Sequence, residues 1–341
     1  MIRNFDDLKP ERLFMKTTFT LSLRPLLLSV AALHALVPTL GLAQSYPDKP
    51  ITFVVPFAAG SATDQLARAI GQAVTLGTKA SVVVDNKPGA NSFIGAQAAA
   101  RAKPDGYTVF ITTNTTQAAN EHLFKKLPYD PVKDFAPVTA LGRGGQIMVV
   151  NPNLPVKDVK EFIALAKSKP GKLSFGSGSS SSRVAGEMFK QLTGTFILNI
   201  PYKSNPPAVT DLLGGQIDMM ITDMATGLPQ VMAGKLKALG VSTKQRSTLA
   251  PEVPTLEEAG VKGYEMNYWF AAYVPAATPP EVVDKLNEML VKAARSSSAA
   301  GFYQSTGTEI FTSTPAELGK FQAAESLKWG RIIKAAGIES E

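Results

Sequence analysis

Residues 60–64, Gly-Ser-Ala-Thr-Asp, follow a short apolar run and are of the types that hold an anion. Residues 51–55 are β-branched or aromatic and predict a buried strand, and the apolar spacing over residues 66–74 predicts a helix. Ser61, with Asp64 three residues later, has the form of a capping box at the start of that helix. Backbone N–H groups and the positive end of the helix dipole meet at such a corner, which suits a phosphate or a carboxylate. A corner of this kind can also do no more than turn the chain, and one corner alone does not separate the two interpretations.

Four further strand ends carry glycine, hydroxyl or amide residues onto a predicted helix start, at residues 112–116, 176–183, 202–205 and 222–226. In doubly wound sheets the carboxyl ends of parallel strands share one edge, and ligands bind there. The loops supply hydroxyl groups, backbone amides, Arg183 and Lys203, which are donors for carboxylate oxygens. The repetition predicts a cleft for an organic anion. We expect valine at Gly60 to abolish binding, because it would block the approach of the anion to the amides.

Each of these segments also has a structural interpretation. Residues 177–182 could be a flexible linker, and residues 112–116 could be only a strand end with an N-cap. Lys203 could be a solvated charge, and Arg183 could face solvent, although a cation at a helix start suits a nearby anion. Three side chains are interpreted as packing or structural residues: Tyr268, Trp269 and His122.

The sequence lacks the residues on which many catalytic sites depend. It contains no cysteine, which excludes thiol nucleophiles and thiolate metal sites. Of the two histidines, His34 lies in an N-terminal leader, so His122 alone remains, and no Gly-x-Ser-x-Gly motif or metal-ligand cluster occurs. A hydrolase that uses a serine of residues 177–182 is the alternative, but such a serine needs a base. We expect no catalytic residue, no metal and no cofactor.

The N-terminus has the pattern of a cleavable signal peptide. Lys16 and Arg24 precede an apolar run over residues 25–42, and small residues stand where a signal peptidase requires them. We expect residues 1–43 to be removed, with Met15 a better start than Met1, and the mature chain to be periplasmic because the run is too short for a membrane span. The net charge of +7 falls to about +5 without the leader, which suits a small anion and not nucleic acid.

Strand and helix patterns alternate along the mature chain, which predicts an α/β fold with parallel strands. Residues 136–151 are interpreted as two strands, after which Pro152 and Pro155 mark a crossing into a second unit of the same plan. An aromatic strand over residues 263–273 and helices over residues 280–294 and 315–333 are interpreted as a return to the first unit. The other predicted strands cover residues 51–55, 81–85, 107–112, 173–176, 196–201, 217–221 and 236–242, and the other helices 91–102, 156–169, 184–192, 209–213 and 228–232.

Segments along almost the whole mature chain resemble one family. They include YPDKPITFVVPFAAG, DNKPGA, PDGYT, KKLPYDPVKDFAPVT, IPYK, TDLLGGQIDMM, AGKLKALGVST and VPTLEEAG. In order and spacing they are similar to the tripartite tricarboxylate transporter receptors, the Bug family of periplasmic solute-binding proteins. The resemblance implies a type II periplasmic binding protein in which an organic carboxylate is held between two α/β domains and passed to a membrane permease. The domains are predicted as residues 44–148 with 263–341, and residues 149–262.

The resemblance also implies ligand-binding positions. The family's Pro-Phe-x-x-Gly loop falls on residues 56–60, its threonine loop on 113–115, its serine loop on 177–181, its Tyr-Lys pair on 202–203 and a later acid on position 223. The chain departs from the family at Ser61, at Arg183 and at residues 204–205. The candidate ligand-binding residues are Phe57, Ala58, Ala59, Gly60, Ser61, Thr63, Asp64, Thr113, Asn114, Thr115, Ser177, Ser179, Ser180, Ser181, Arg183, Tyr202, Lys203 and Asp223.

The departures lead to a prediction about the ligand. If Arg183 and Lys203 face the corner at residues 57–64, a monocarboxylate leaves these cations without a partner, which is costly for buried charges. A dicarboxylate avoids that cost, and Phe57 and Tyr202 leave room for a flat ring, as in terephthalate. We therefore expect a monomeric receptor for a dicarboxylate, with a periplasmic sensor for a signalling partner as an alternative role of the same cleft.

Overall fold

The computed structural model describes Met15 and residues 46–341. The predicted signal peptide, residues 1–43, lies outside the described residues apart from Met15. Among the helices of the described residues, none is long and apolar enough to cross a membrane.

The described residues alternate between strands and helices. The strands are β1 (Ile51–Val55), β2 (Val82–Asn86), β3 (Thr108–Thr113), β4 (Phe135–Val150), β5 (Ser174–Ser177), β6 (Leu198–Pro201), β7 (Met219–Asp223), β8 (Lys237–Val241) and β9 (Asn267–Pro275). The α-helices are α1 (Ala62–Thr78), α2 (Phe93–Ala100), α3 (Asn120–Leu123), α4 (Val159–Ser168), α5 (Ser180–Thr193), α6 (Asn205–Leu213), α7 (Met224–Met232), α8 (Pro280–Ala294), α9 (Ser297–Thr306) and α10 (Pro315–Ala335). A 3-10 turn (Ala90–Ser92) precedes α2, and a π-helical turn (Thr115–Ala119) follows β3.

The long strand β4 divides the sheet into two parts. The first half-sheet has the order β2-β1-β3-β9 and ends on residues 135–145 of β4. The second half-sheet begins with residues 146–150 of β4, which β8 flanks on one side, and continues through β7, β5 and β6. The pairs β1–β2, β1–β3, β5–β6 and β5–β7 are parallel, as predicted, whereas β4 and β9 run antiparallel to their neighbours. The α/β fold class is confirmed.

The prediction of two strands within residues 136–151 is wrong, because β4 is one strand of 16 residues. Its glycines resemble a strand break, but they allow close approach to neighbouring chain segments. A Cβ atom on Gly142 would lie 2.8 Å from Thr308 Cγ2, and one on Gly145 would lie 2.3 Å from Thr243 Cγ2. The pairing with β9 shifts register between Pro137 and Thr139 and between Ala140 and Gly142, and it continues to Gly145.

Several helices also differ from the prediction: α6 and α7, like α5, begin four residues before their predicted starts, at Asn205 and Met224, and α3 (Asn120–Leu123) was not predicted. Helix α5 begins at Ser180, four residues before the predicted start, because Ser179 and Ser182 form a reciprocal capping box. Helix α9 (Ser297–Thr306) has weak amphipathic character and no predicted counterpart. The helices α8 and α10 begin where predicted, at Pro280 and Pro315, and Thr314 caps α10.

Three apolar clusters hold the sheet between its helices. On one face of the first half-sheet, Phe53 and Val109 pack with Leu66 of α1 and Leu286 of α8. On the opposite face a larger cluster extends from Trp329 and Phe110 into the second half-sheet, where it includes Phe162 and Phe189. The third cluster covers the remaining face of the second half-sheet. Each fully buried large side chain contributes about 1.5–3 kcal/mol to folding, so these clusters fix the strand ends that carry the site.

The segment after residue 263 lies in the first half-sheet, since β9 pairs with β3 and with the first part of β4. The predicted division into two domains, with boundaries near residues 148 and 262, stays a prediction.

Candidate functional site

A cavity of about 40 Å³ lies at the carboxyl ends of strands from both half-sheets. Residues that follow β1 and β3 form one side of it, and residues that follow β5, β6 and β7 form the other. This is the edge at which parallel α/β sheets bind ligands. The lining residues are Phe57, Ser61, Ala62, Thr63, Thr113, Asn114, Thr115, Gln146, Ser179, Ser181, Ser204, Asn205, Asp223, Tyr268 and Phe270.

The corner between β1 and α1 presents the start of a helix to the cavity. Ser61 is the N-cap of α1, and its Oγ accepts a hydrogen bond of 3.3 Å from the N–H of Asp64. The N–H groups of Ala62 and Thr63, the first two residues of the helix, have no hydrogen-bond partner within residues 46–341. Because both residues line the cavity, these amides and the positive end of the helix dipole are available to an anion.

Asp64 stabilises this corner from outside the cavity. Its Oδ2 accepts a 2.9 Å hydrogen bond from the N–H of Gly60 and a 3.0 Å bond from Nε of Arg68. Burial disfavours the charged form of Asp64, but the hydrogen bonds from Arg68 and Gly60 outweigh this effect and lower its pKa. The carboxylate therefore stays ionised and keeps both donors occupied.

The end of β3 joins the two sides of the cavity. Nδ2 of Asn114 donates to Oγ of Ser181 at 2.6 Å, and Oγ of Ser180 donates to Oδ1 of Asn120 at 2.6 Å. Thr115 Oγ1 lies 3.3 Å from the same Ser181 hydroxyl. The half-sheets thus contact each other directly beside the cavity.

The corner between β5 and α5 supplies a second helix start. Ser179 and Ser182 cap α5 reciprocally, and the N–H groups of Ser180 and Ser181 have no hydrogen-bond partner in the described part of the chain. Gly178 lets this corner lie against α6, because a Cβ atom there would be 2.1 Å from the carbonyl carbon of Ser204. Two helix starts, those of α5 and α6, therefore meet on the second side of the cavity.

Ser204 stands at the N-cap position of α6 but makes no capping hydrogen bond through its side chain. Its Oγ is fully buried and has no partner among residues 46–341, although the residue lines the cavity. A buried hydroxyl without a partner is costly and is uncommon in folded proteins. Ser204 is thus a further candidate donor for a ligand.

Asp223, at the end of β7, is the acidic residue of the cavity wall. It caps α7, with Oδ1 accepting from both N and Oγ1 of Thr226 at 2.9 Å, and its Oδ2 accepts from Nδ2 of Asn205 at 2.8 Å. Burial raises the pKa of Asp223, and these hydrogen bonds offset part of that rise. Burial and the nearby Asp223 carboxylate also raise the pKa of Tyr268.

The lining residues include no lysine, arginine or histidine within the described part of the chain. An anion in this cavity would therefore be attracted by helix starts, amides and hydroxyl groups and not by side-chain cations. No group of three or more His, Asp or Glu side chains among the described residues is arranged to hold a metal ion.

The structure brings together half of the candidate residues. Phe57, Ser61, Thr63, Thr113, Asn114, Thr115, Ser179, Ser181 and Asp223 line the cavity. The other candidates lie outside its wall: Ala58, Ala59, Gly60, Asp64, Ser177, Ser180, Arg183, Tyr202 and Lys203. Of these, Ser177 donates to Oδ1 of Asn199 at 2.7 Å on the neighbouring strand.

The expectation that Arg183 and Lys203 face the corner at residues 57–64 is wrong. The guanidinium of Arg183 pairs with Oε1 of Glu341, at 2.7 Å, in a separate cavity of about 220 Å³. Lys203 is exposed. Tyr202 donates to Oδ2 of Asp211 at 2.7 Å, and burial and this hydrogen bond raise its pKa to about 12. The sequence indicated a cation at a helix start, but not that the side chain of Glu341 would pair with it.

The reason given for a blocking effect at Gly60 is also wrong. Its N–H already donates to Asp64, and a Cβ atom at this position would meet nothing within 4 Å. The left-handed φ of 79° explains the glycine instead.

Six lining residues are not among the candidates: Ala62, Gln146, Ser204, Asn205, Tyr268 and Phe270. Residues 202–205 were recognisable as a strand end, so Ser204 and Asn205 carried a signal in the sequence. Gln146 carried none, because it lies inside β4 and reaches the cavity only through the pairing of β4 with β7. Tyr268 is buried as predicted, yet it also lines the cavity.

The hydrolase alternative finds no base beside its serines. Nε2 of His122 lies 3.0 Å from Oγ of Ser326 on α10, and the serines at residues 177–182 have other partners. A histidine directed at Ser326 cannot take a proton from the serine loop.

Comparison with known proteins places these features in context. The family model described as the tripartite tricarboxylate transporter family receptor matches residues 63–338. The solved structure of the periplasmic binding protein BugD is similar over 87% of this chain and 100% of its own, with 31% identity and a TM-score of 0.83. Rpa4515 of R. palustris with adipate is 33% identical over 87% of this chain and 100% of its own, with a TM-score of 0.84. MatC (Rpa3494) from Rhodopseudomonas palustris with bound malate is 28% identical over 84% of this chain and 100% of its own, with a TM-score of 0.80.

Proposed function

The chain belongs to the tripartite tricarboxylate transporter receptor family, and we propose that it captures an organic dicarboxylate in the cavity between its half-sheets and delivers it to a membrane permease. The family is one of receptors, so its activity is binding and not catalysis. The proposal includes export to the periplasm by a cleavable signal peptide and action as a monomer.

The observation that carries the proposal is the meeting of helix starts from both half-sheets at one cavity. Ala62 and Thr63 at the start of α1 line the cavity from one side, and Ser181 at the start of α5 lines it from the other; the N–H groups of all three have no hydrogen-bond partner among residues 46–341. Each helix start supports a negative group through its free amides and its dipole. Two such groups held by one ligand would connect the two sides.

A dicarboxylate therefore remains the proposed ligand, although its support differs from the sequence prediction. The helix starts, and not Arg183 and Lys203, are the groups that would meet its two ends. Adipate and malate, bound by two proteins similar to this chain, are both compact aliphatic dicarboxylates. Phe57, Tyr268 and Phe270 line the cavity, so an aromatic dicarboxylate such as terephthalate stays in the panel of ligands to be tested.

We propose that the half-sheets move as domains when the ligand binds. The chain crosses between them within β4, near Gly145 and Gln146, and again between β8 and β9. Direct contacts such as Asn114–Ser181 would close the cleft over the ligand. A ligand whose two ends bind different half-sheets shifts the population toward this closed arrangement.

Isothermal titration calorimetry with succinate, malate, adipate and terephthalate tests the proposal. We expect one aliphatic dicarboxylate to bind per chain with micromolar or tighter affinity and to be recovered unaltered by NMR. At a free ligand concentration 100 times the dissociation constant, binding adds about 2.7 kcal/mol to the free energy of unfolding.

The monomethyl ester of the same acid is the matched control, and we expect it to bind at least tenfold more weakly. Turnover of any acid, no binding by the whole panel, or equal binding of the acid and its monoester would contradict the proposed function.

A further inference from the structure

The edge strand β6 has an exposed apolar face on the second half-sheet. The strand pairs with β5 alone, so its other edge is open. Phe196, Leu198 and Ile200 stand at alternate positions in and just before the strand, and each is 37–56% exposed. None of the three belongs to an apolar cluster of the described residues, whereas Ile197, which points to the opposite face, is fully buried in one. Phe196, Leu198 and Ile200 form the β6 face.

The edge strand at the other end of the sheet is built differently. Val82 and Val84 of β2 pack against an apolar cluster, so Val83 alone is an exposed apolar residue of that strand. Next to it, Asp85 pairs with Lys87 at 2.9 Å. Charged or covered edges of this kind prevent unwanted association. The three exposed apolar side chains of the β6 face are therefore not a general property of the edges of this sheet, and such a patch marks an interaction site.

Lysines without a carboxylate partner lie beside the β6 face. The turn of residues 169–172 contains Lys169 and Lys172, and a backbone N–H of this turn donates to Phe196 O at 2.8 Å. Lys167 lies in the last turn of α4, directly before it. The three lysines are exposed, and none of them forms an ion pair with a described residue. Their charges are therefore available to an anionic partner.

The surroundings of the β6 face contain no acid that would neutralise these lysines. Residues 167–172 and 191–203, which form the turn, the end of α5 and β6, include no aspartate or glutamate. The acids of the neighbouring elements each bind a donor within the chain: Asp211, Asp218 and Glu187. The surface is thus apolar and cationic, which is complementary to a surface that is apolar below a layer of negative charge.

A partner strand would find few groups to bind at the open edge of β6. The N–H groups of Leu198 and Tyr202 donate to the chain of β5 and the residue before it. Because successive residues of a parallel ladder alternate in direction, the outward residues are Ile197, Asn199 and Pro201. Proline has no N–H, and β6 has only four residues. A lipid surface needs no backbone partner, since apolar side chains enter the headgroup boundary while lysines bind the phosphates.

We propose that the β6 face and the lysines beside it bind an anionic phospholipid surface. Phe196 and Leu198 enter the boundary between headgroups and acyl chains, and Lys167, Lys169 and Lys172 bind lipid phosphates. This contact goes beyond the proposed function, and it does not depend on which acid the cavity takes, because none of these residues lines the cavity. It would hold the receptor at the membrane in which a permease lies.

Co-sedimentation with lipid vesicles tests the contact. The mature protein without residues 1–43 is used, because the apolar leader would itself bind lipid and residues 46–341 form one compact unit. We expect binding to vesicles of phosphatidylglycerol and phosphatidylcholine in equal parts to be about tenfold tighter than binding to phosphatidylcholine alone. High salt should weaken this binding, because it screens the lysines.

The variant Lys169→Gln/Lys172→Gln removes two of the charges at similar side-chain size. We expect its affinity for the anionic vesicles to fall about tenfold. The control Lys285→Gln/Lys292→Gln removes two exposed lysines from α8, on the first half-sheet, and should keep its affinity within about threefold. Equal losses in the two variants would show that net charge alone attracts the protein, which overturns the proposal.

The variant Phe196→Thr/Leu198→Thr removes the apolar contact and keeps residues that suit a strand. Both side chains are exposed, so we expect a small change in the free energy of unfolding and a loss of vesicle affinity of about fivefold or more. Val83→Thr changes an exposed apolar residue of the other edge strand and should leave vesicle binding unchanged.

No binding to the anionic vesicles, or unchanged binding in both β6-face variants, overturns the proposal. Binding that requires permease in the vesicles and is lost in the same variants would show that a protein covers the face, and not lipid. A dimer that analytical ultracentrifugation detects and the Phe196→Thr/Leu198→Thr variant abolishes would show that a second copy covers it. We expect calorimetry to give every variant an affinity for the dicarboxylate within about twofold of the unmodified protein, so each of these outcomes leaves the proposed function intact.

Discussion

The corners that begin α1 and α5 both contain a glycine, but they need it for different physical reasons. Gly60 has a φ of 79°, and a Cβ atom there would meet nothing within 4 Å. Gly178 would place a Cβ atom 2.1 Å from the carbonyl carbon of Ser204 and 2.2 Å from the nitrogen of Asn205. The first glycine allows a backbone conformation, whereas the second allows two chain segments to touch.

This difference shows how each side of the cavity is built. The α1 corner is held mainly by local bonds, since Asp64 accepts from Gly60 and Arg68, and Asn86 of the neighbouring strand β2 adds a bond to Phe57 O. The α5 corner depends on a separate segment, because the start of α6 packs against Gly178. Substitutions at the two corners should therefore separate effects on stability from effects on ligand binding.

The largest effect is expected from Gly178→Ala. The new methyl group must push the backbones of the two helix starts apart, and overpacking of this kind costs about 1–3 kcal/mol of stability. Because Ser179, Ser181, Ser204 and Asn205 all line the cavity, we expect the affinity for the dicarboxylate to fall about 100-fold. Urea unfolding and calorimetry measure the two effects.

Gly77→Ala is the control, since that glycine lies in α1 with open space around it and φ outside the left-handed region. Alanine is the better helix former, so we expect equal or higher stability and unchanged affinity. An affinity of Gly178→Ala within threefold of the unmodified protein would show that the contact between the corners does not shape the cavity.

A smaller effect is expected from Thr63→Val at the α1 corner. Valine keeps the shape and the backbone N–H but removes the hydroxyl, and a hydrogen bond to a charged group contributes about 1.5–3 kcal/mol. We expect the affinity to fall at least tenfold with the free energy of unfolding nearly unchanged. Thr75→Val in the same helix removes a hydroxyl that bonds to Gly71 O outside the cavity, and it should leave binding unaffected. Equal affinities for the two variants would exclude the Thr63 hydroxyl as a ligand contact.

Gly60→Ala is expected to affect stability and not binding. An alanine in the left-handed region costs about 1–2 kcal/mol, while the amides of Ala62 and Thr63 remain in place. We expect the affinity to stay within threefold. Gly194→Ala at the end of α5 has a φ of 62° and equally open surroundings, so its loss of stability should match. A large loss of affinity in Gly60→Ala but not in Gly194→Ala would show that Gly60 is part of the binding site.

The same comparison shows what could be predicted from the sequence. The strand and helix at residues 51–74 followed from local patterns, because the apolar spacing and the Ser61 cap act within a few residues. The corners of both half-sheets were predicted for the same reason. Thr63 and Ser181, which lie at these corners and line the cavity, were therefore among the candidates.

What the sequence did not indicate depends on contacts between distant segments. Gln146 reaches the cavity through its pairing with Asp223, a residue 77 positions further along the chain. The Arg183 side chain lies outside the cavity wall and pairs with Glu341, a residue 158 positions further along the chain. No local pattern carries such information, since both outcomes depend on how the half-sheets are joined.

The smallest effect is expected from Arg183→Ala. In contrast to Arg68, whose partner Asp64 lies four residues away, Arg183 pairs with Glu341, whose side chain is 58% exposed, while Arg183 itself is 23% exposed. Ion pairs of this kind contribute about 0–1 kcal/mol.

We expect Arg183→Ala and Glu341→Gln to lower the free energy of unfolding by similar small amounts. The double variant should lower it by no more than the larger of the two single effects. The preference for a dicarboxylate over its monoester should stay within twofold in all three, because neither side chain lines the cavity. If Arg183→Ala removes that preference and Glu341→Gln does not, Arg183 must leave Glu341 to bind the ligand. The α5 corner would then differ from the α1 corner in two ways, by a side-chain cation that binds the ligand and by the role of its glycine.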